Sequence, residues 1–599
     1  MPRRRSSARS SLPRSRPTSS VSRRRLPSRS STPRATAADT LMAQTFVPTI
    51  AQRAWRMQAR GRARWSLVVV VVALLVAAPV VAILLEVSTH WPDSLPSQLP
   101  HMVATTLMLM VAVGTGSLAL GVGLAWLVTA YTFPLRNVFV WLLVLPLAMP
   151  AYILGFVFLS TFDAAGPVQQ WLRGLGLHVQ FSVASLAGCA IVMSLTLYPY
   201  VYLLARAAFA EQGRATYDAA RTLGASRRRA FFAVLLPLAR PSLAAGLALV
   251  MMEVLTDFAT VQYFNVQTVS YGAYIVWKGK YDFAAATQLA SMVMLFAAAV
   301  MVGERLLRGR ARFTQGGRGT GLQAVRLGPV RGLLASLLCL GALAVAVFVP
   351  VGRLIGWALQ PTHKTAEGVF SADFAQALSN SLVIAVLAAV TCVVLALLIG
   401  HALRLGGGRI VRACAQLTTF GYAVPGAVVG IGTLLVLKAL NDGVEAIGVP
   451  GGLGLLATGS VFAILFAYAV RFLGPAYQAV DASYAKLSVS ITQGALSLGA
   501  GPMRVLRKVH APLVRPGIAV AAVLVAIDAI KELPLVLMLR PVDFTTVSVW
   551  VYSLATENLW NLAAGPALII VALSVIPVFL LFRQVWSSDR AARRRPEEA

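Results

Sequence analysis

The 599-residue chain contains few cysteines, few histidines and few acidic residues. Its four cysteines, Cys189, Cys339, Cys392 and Cys414, stand singly in apolar stretches and have neither disulfide nor zinc-site spacing. The six histidines are equally scattered, so the sequence assigns no metal site firmly. No Gly-x-x-x-x-Gly-Lys-Ser/Thr stretch occurs, and the chain therefore offers no phosphate loop of its own for ATP.

Apolar residues are abundant instead. The chain is 57% hydrophobic and only 13% charged, with a mean hydropathy of +0.73, which is typical of a polytopic membrane protein. Because backbone polar groups in lipid must pair within their own segment, the spans are predicted to be helices. The expected fold is an all-α polytopic membrane protein of about twelve spans in two sets of six. The predicted spans are 66–86, 102–130, 138–160, 182–205, 242–264, 284–303, 333–358, 380–403, 413–438, 453–473, 517–539 and 563–582.

The distribution of charge predicts the orientation of the spans. Lys and Arg number 53 against 22 acidic residues, and they concentrate in the two termini, in a loop near 227–240 and in the segment 304–331. Twelve spans place all four regions on one side, whereas the opposite loops 87–101 and 439–451 have no Lys or Arg. This positive-inside pattern predicts a multi-pass membrane protein with both termini cytoplasmic. It also explains the net charge of +31 through topology and membrane lipid rather than nucleic acid.

The two halves of the chain form a tandem repeat. An offset of 275 residues, the difference between Gly499 and Gly224, also carries Pro150 onto Pro425. Each half is therefore expected to fold as the same six-helix unit, with a pseudo-two-fold axis along the membrane normal and a pathway between the halves. The predicted regions are a basic disordered cytoplasmic tail at 1–64, a first repeat at 65–303 with its core at 102–303, a cytoplasmic linker at 304–331, a second repeat at 332–585 with its core at 378–583, and a basic cytoplasmic tail at 586–599.

A cytoplasmic loop occurs once in each half, at the same register. In both copies a glycine precedes a proline by the same distance, and this spacing predicts a helix, a glycine break and a second short helix. The first copy contains Asp218, Ala219, Ala220, Gly224 and Pro237, and the second contains Gln493, Gly494, Ala495, Gly499 and Pro512.

The first copy resembles the "EAA" loop of type I ATP-binding-cassette importer permeases, from which it departs only by Asp218 for Glu and Val234 for Ile. This resemblance implies a place in the bacterial inner (plasma) membrane. The second copy keeps Ala495, Gly499 and Pro512 but lacks the acid, which indicates either unequal coupling or drift. The resemblance covers nearly all of 100–585. It implies that each loop docks on a separate ATPase subunit, that two ATPase copies bind, and that a periplasmic binding protein delivers the substrate. ATP would then be bound by the partner subunit, and this chain would bind no cofactor and catalyse no hydrolysis.

Ionisable residues inside predicted spans are functional candidates, because burying charge in a membrane is costly. The fifth span holds Glu253 and Asp257, and the eleventh holds Asp528, Lys531 and Glu532. Each acidic pair has i, i+4 spacing and is expected to share one helix face, with Lys531 within reach of Asp528. The acids either line a hydrated cation path or form structural ion pairs.

The sequence around these residues resembles a narrower family. Lys531-Glu532-Leu533-Pro534 and Thr256-Asp257-Phe258 are similar to segments of fused permeases of the ferric-iron importer family. Related permeases for 2-aminoethylphosphonate, thiamine, sulfate or polyamines remain alternatives. A secondary carrier with twelve spans is a further alternative, although it would need no docking loop in each half.

Overall fold

The computed structural model describes residues 63–87, 97–177, 181–212, 214–280, 282–308, 324–360, 371–454 and 459–594. Most of the predicted N-terminal tail, most of the predicted linker and the end of the predicted C-terminal tail lie outside these ranges. Within them the chain is helical, apart from the two-residue strands β1 (Tyr131–Thr132) and β2 (Val325–Arg326), which pair in parallel. The predicted all-α membrane fold is confirmed.

The helices of the first half run from residue 63 to residue 308. They are α1 (Ala63–Val87), α2 (Leu99–Ala130), α3 (Arg136–Leu142), α4 (Ala151–Phe162), α5 (Pro167–Gly174), α6 (Leu186–Gln212), α7 (Arg214–Thr222), α8 (Arg227–Ala230), α9 (Leu236–Thr256), α10 (Ala259–Tyr263), α11 (Val269–Ile275) and α12 (Phe283–Arg308). A 3₁₀ turn at Leu145–Ala148 and π-helical turns at Phe231–Leu235 and Val276–Lys280 complete this half.

The second half repeats this order. Its helices are α13 (Pro329–Leu343), α14 (Val349–Ala358), α15 (Ala372–Arg404), α16 (Arg409–Leu417), α17 (Gly426–Ala446), α18 (Val461–Tyr484), α19 (Val489–Ser497), α20 (Pro502–Val505), α21 (Ala511–Leu513), α22 (Arg515–Lys531), α23 (Pro534–Leu539), α24 (Val547–Thr556) and α25 (Trp560–Arg594). A π-helical turn at Ala344–Phe348, a 3₁₀ turn at Phe420–Ala423 and a second π-helical turn at Leu506–His510 join them.

The described residues contain ten helices that are long and apolar enough to span a membrane. There are eleven candidate spans if the segments Pro502–Leu513 and Arg515–Lys531, whose axes meet at a bend of 78°, are counted as one. The twelfth predicted span, 563–582, falls on α25. The apolar part of this helix, Trp560–Ile576, is shorter than the other candidate spans. The third predicted span also differs, because the apolar helix begins after Pro150, at Ala151.

The offset of 275 residues relates structural elements as well as sequence. It carries α7 onto α19, and it carries the π-helical turn Phe231–Leu235 onto Leu506–His510 without any change in length. The 3₁₀ turn Leu145–Ala148 maps in the same way onto Phe420–Ala423. The backbone therefore repeats in fine detail, whereas the exact limits of the predicted regions stay a prediction.

The first helix of each half packs against the opposite half. The ring of Trp65 in α1 lies 4.6 Å from that of His401, and a Cβ added at Gly432 would lie 2.4 Å from the Pro79 carbonyl oxygen. In the other direction the Ser336 hydroxyl of α13 donates a 2.9 Å hydrogen bond to the Pro134 carbonyl. The first helix of each half thus contacts the other half, which the sequence repeat alone does not predict. Repeat symmetry fixes which helices correspond but does not fix which half each one packs on.

Candidate functional site

A cavity of about 140 Å³ that contains charged side chains lies between the two halves and is lined by residues of both. The five ionisable residues singled out from the sequence line it together: Glu253, Asp257, Asp528, Lys531 and Glu532. Pro150 and Pro534, which stand at helix breaks, also reach the cavity. Helices start directly after Pro150 and after Pro425, so the chain is broken at the same point in both halves.

The second acid of each pair stands at a helix end rather than on a continuous helix. The helix α9 ends at Thr256, and Asp257 is extended (φ −79°, ψ 112°). Glu532 follows α22 in the same way (φ −66°, ψ 122°). The spans predicted as continuous over 242–264 and 517–539 are thus interrupted at the second acid of each pair. The i, i+4 spacing could not reveal the break, because Asp257 and Glu532 occur in apolar surroundings that continue beyond them.

The carboxylates at these breaks satisfy backbone N–H groups of the short helix that follows. An oxygen of Asp257 accepts a 2.8 Å hydrogen bond from the Thr260 N–H. An oxygen of Glu532 accepts a 3.4 Å hydrogen bond from the Leu535 N–H. The first N–H groups of a helix have no partner inside it, so acidic residues stabilise a broken span at this position.

Two ion pairs neutralise the acids of the second half. Lys531 Nζ lies 3.0 Å from Asp528 Oδ1, which confirms the predicted contact, and these side chains are 30% and 26% exposed. Arg471 Nε lies 3.4 Å from Glu532 Oε2, and here the side chains are only 6% and 7% exposed. Arg471 also donates a 3.2 Å hydrogen bond to the Val424 carbonyl, next to the break at Pro425.

Sequence reasoning missed Arg471, although a signal for it was present. It is an arginine inside the tenth predicted span, 453–473, where a charge has to be paired. Its partner Glu532 lies sixty-one positions further on, so no local spacing connects them. The structure thus adds one cation to the predicted set of cavity residues.

The two repeated loops have the predicted helix–glycine–helix geometry. Gly224 ends α7 with φ +86°, and Gly499 ends α19 with φ +79°. The N–H of Ala225 then bonds to the Ala220 carbonyl at 3.0 Å, which closes the helix end. In the second loop the N–H of Ala500 bonds in the same way to the Ala495 carbonyl at 3.1 Å.

Each loop exposes a leucine immediately before its glycine. Leu223 is 88% exposed and Leu498 is 89% exposed, and the two positions differ by the repeat offset. A single exposed leucine is ordinary, but a matched pair at the tips of two equivalent loops suits contact with a partner. Beside them Ala219 and Gln493 are exposed, whereas the side chain of Asp218 lies outside the described part of the chain.

The two loops are anchored to the membrane helices by different chemistry. In the first half the Trp126 ring packs 4.7 Å from Phe231 and 6.0 Å from Tyr217. In the second half His401 takes the place of Trp126, and its Nδ1 lies 2.9 Å from Nδ1 of His510. Nε2 of His510 in turn lies 3.0 Å from the Thr492 hydroxyl of α19.

Replacing Gly224 by valine tests whether the left-handed helix end matters. No other atom lies within 4 Å of an added Cβ, so the effect comes from backbone strain, about 1–2 kcal/mol for a side chain with φ near +86°. Gly224→Val should weaken co-purification of the ATPase subunit that the loop's resemblance implies, whereas Gly224→Asn, which tolerates this conformation, should retain it. Equal co-purification of both variants would contradict the requirement for this backbone shape.

These features define a class of protein: a polytopic α-helical membrane protein with two related halves, a charged cavity between them and two matched loops at the surface. Comparison with known sequences narrows this class. Residues 117–312 match the family model described as "binding-protein-dependent transport system inner membrane component". Over this segment, about a third of its length, the chain is similar to the permeases of ATP-binding-cassette importers.

Curated relatives resemble the chain in two different ways. The Fe(3+)-transport system permease protein FbpB 2 of Haemophilus influenzae is 27% identical over 81% of this chain and 90% of its own length. The ferric transport system permease protein FbpB of Actinobacillus pleuropneumoniae is 23% identical over 80% of this chain and 70% of its own. The sulfate transport system permease protein CysT of Escherichia coli is 29% identical, but over only 33% of this chain and 72% of its own.

Proposed function

We propose that this permease carries ferric iron across the inner membrane. The observation that carries the proposal is the cavity between the halves, which contains four carboxylates and two basic side chains. The similarity to ferric permeases extends over both halves of the chain and supports the same substrate. Iron would be handed over by a periplasmic binding protein, which sets much of the selectivity.

ATP bound by separate subunits would drive the transport cycle. Two ATPase subunits are expected to dock on the loops around Gly224 and Gly499, with the exposed Leu223 and Leu498 in their contact surfaces. Closure of the ATPase pair would shift the population of the permease between inward-facing and outward-facing states. ATP would be bound by those subunits, and the permease itself would need no cofactor.

Sulfate is the second candidate, because CysT relatives match part of the chain. The cavity gives it less support. Both basic residues of the cavity already contact carboxylates, Lys531 with Asp528 and Arg471 with Glu532. An anion would have to compete with these internal partners, and two further carboxylates would repel it.

Uptake by proteoliposomes that contain the permease, its ATPase and its binding protein tests the substrate. We expect ATP-dependent accumulation of ⁵⁵Fe³⁺ and no accumulation of ³⁵S-sulfate. Accumulation of sulfate without iron would refute the proposal and favour the sulfate permeases as functional relatives.

The proposed orientation can be tested separately by cysteine labelling. Cysteines introduced at the exposed positions Arg228 and Arg504 should react only with reagents inside the cell, and one at Asp442 only with reagents outside. Background labelling of the native cysteines should be low, because Cys189, Cys339 and Cys392 are buried and Cys414 is half-buried. Reaction of the Arg228 or Arg504 site from outside would contradict the docking of a cytoplasmic ATPase.

A further inference from the structure

The two walls of the cavity differ in charge, and this difference assigns a place to the transported ion. Resting on the proposed function, we propose that the cation binds transiently to the wall of the first half, at the carboxylates of Glu253 and Asp257 and the hydroxyl of Tyr152. The wall of the second half is held neutral by its own ion pairs and serves as the opposing surface.

The asymmetry appears when the repeat offset is applied to the cavity. The acids correspond, since Glu253 maps onto Asp528 and Asp257 onto Glu532, but the bases do not. Arg471 maps back onto Thr196, and Lys531 maps back onto Thr256. The second half therefore has two acids and two bases, whereas the first half has two acids and two threonines at the same places.

The contacts follow this division. Lys531 and Arg471 lie within 3.0 Å and 3.4 Å of second-half acids. The carboxylate of Glu253 has no hydrogen bond or close ion pair within the described ranges. Arg471 and Lys531 attract it only through longer-range electrostatic interactions. Asp257 contacts Thr260, whose hydroxyl donates a 2.5 Å hydrogen bond to its second oxygen. The net negative charge of the cavity thus resides on the first half.

A buried hydroxyl without a partner lies in this same wall. Tyr152 lines the cavity, its side chain is 5% exposed, and its hydroxyl has no hydrogen-bond partner among the described residues. The repeat offset places Ala427 at the corresponding point of the second half. Leaving a buried hydroxyl unpaired is unfavourable, and a bound ion or its water would supply the missing partner.

The polar side chains of the first-half wall carry only oxygen atoms as ligands. Thr196 and Thr256 each donate their hydroxyl to backbone carbonyls of their own helix, so their oxygen lone pairs remain free to accept. Carboxylate and hydroxyl oxygens suit a hard cation rather than a soft metal. Among the described residues no three His, Cys, Asp or Glu side chains are placed to hold a metal together. A site with few ligands binds weakly, as a path requires if the ion is to leave.

Binding of Tb³⁺, a hard trivalent probe, to the purified permease–ATPase complex tests this site through tyrosine-sensitised luminescence. Glu253→Gln should weaken Tb³⁺ binding at least about tenfold. The double variant Thr256→Lys/Lys531→Thr, which moves one base across the cavity without changing net charge, should weaken it as much. If Glu253→Gln does not fold, Asp257→Asn takes its place, with folding judged by ATPase co-purification.

The outcomes separate this site from the substrate proposal. Unchanged Tb³⁺ affinity in the charge-swapped variant would overturn the site, because net charge rather than its placement would then control binding. No detectable Tb³⁺ binding by the wild-type complex would overturn it as well. Binding that responds as expected in a transporter that imports no ferric iron would support the site and refute iron as the substrate.

Discussion

Arg471→Met is expected to destabilise the permease more than any other single change in the cavity. It leaves Glu532 without its partner in a setting where both side chains are less than a tenth exposed. Breaking a buried ion pair from one side costs about 3–5 kcal/mol, because the remaining charge stays buried. Thermal unfolding in detergent, followed with a thiol-reactive dye on the buried cysteines, would measure the loss.

Two companion variants identify the cause. Glu532→Gln in the Arg471→Met background removes the stranded charge and should restore most of the stability. Lys531→Met breaks the more exposed pair with Asp528 and should cost about 1 kcal/mol or less. Equal unfolding temperatures for Arg471→Met and the wild type would show that the buried pair does not stabilise the fold.

Changing Leu223 and Leu498 together to aspartate is expected to abolish association with the ATPase. Both side chains are almost fully exposed, so the double variant should insert and fold like the wild type. An interface that buries both leucines would lose their apolar contact and bury two carboxylates, which should weaken binding well over tenfold. Co-purification of the ATPase with the permease measures this loss directly.

A matched control is available outside the loops. Leu306, near the end of α12, is 76% exposed, and Leu306→Asp makes the same chemical change outside the two loops. This variant should retain the ATPase. Loss of the ATPase in Leu306→Asp, or its retention in the double variant, would remove the support for docking at the two leucines.

The sequence predicted much of this architecture because its signals are local or repeated. Hydropathy locates the membrane helices, and the glycine–proline spacing predicted the left-handed ends at Gly224 and Gly499. Lys531 and Asp528 are three residues apart on one helix, so their contact followed from helix geometry. The repeat predicted a pathway between the halves, and the five ionisable residues line one cavity there.

The features that were missed depend on long-range packing. The pairing of Arg471 with Glu532 joins two helices from distant parts of the sequence. The exchange of α1 and α13 between halves depends on contacts such as Ser336 with Pro134, which no periodicity records. The breaks at Asp257 and Glu532 arise where a carboxylate caps the next helix, and an uninterrupted apolar run concealed them.

The most direct test of the account measures what drives transport. Proteoliposomes with permease, ATPase and binding protein should take up ⁵⁵Fe³⁺ only with ATP inside the same compartment as the ATPase. The permease carrying both Leu223→Asp and Leu498→Asp should show no ATP-driven uptake. Uptake that persists without ATPase and follows an imposed ion gradient would contradict the account and identify a secondary carrier instead.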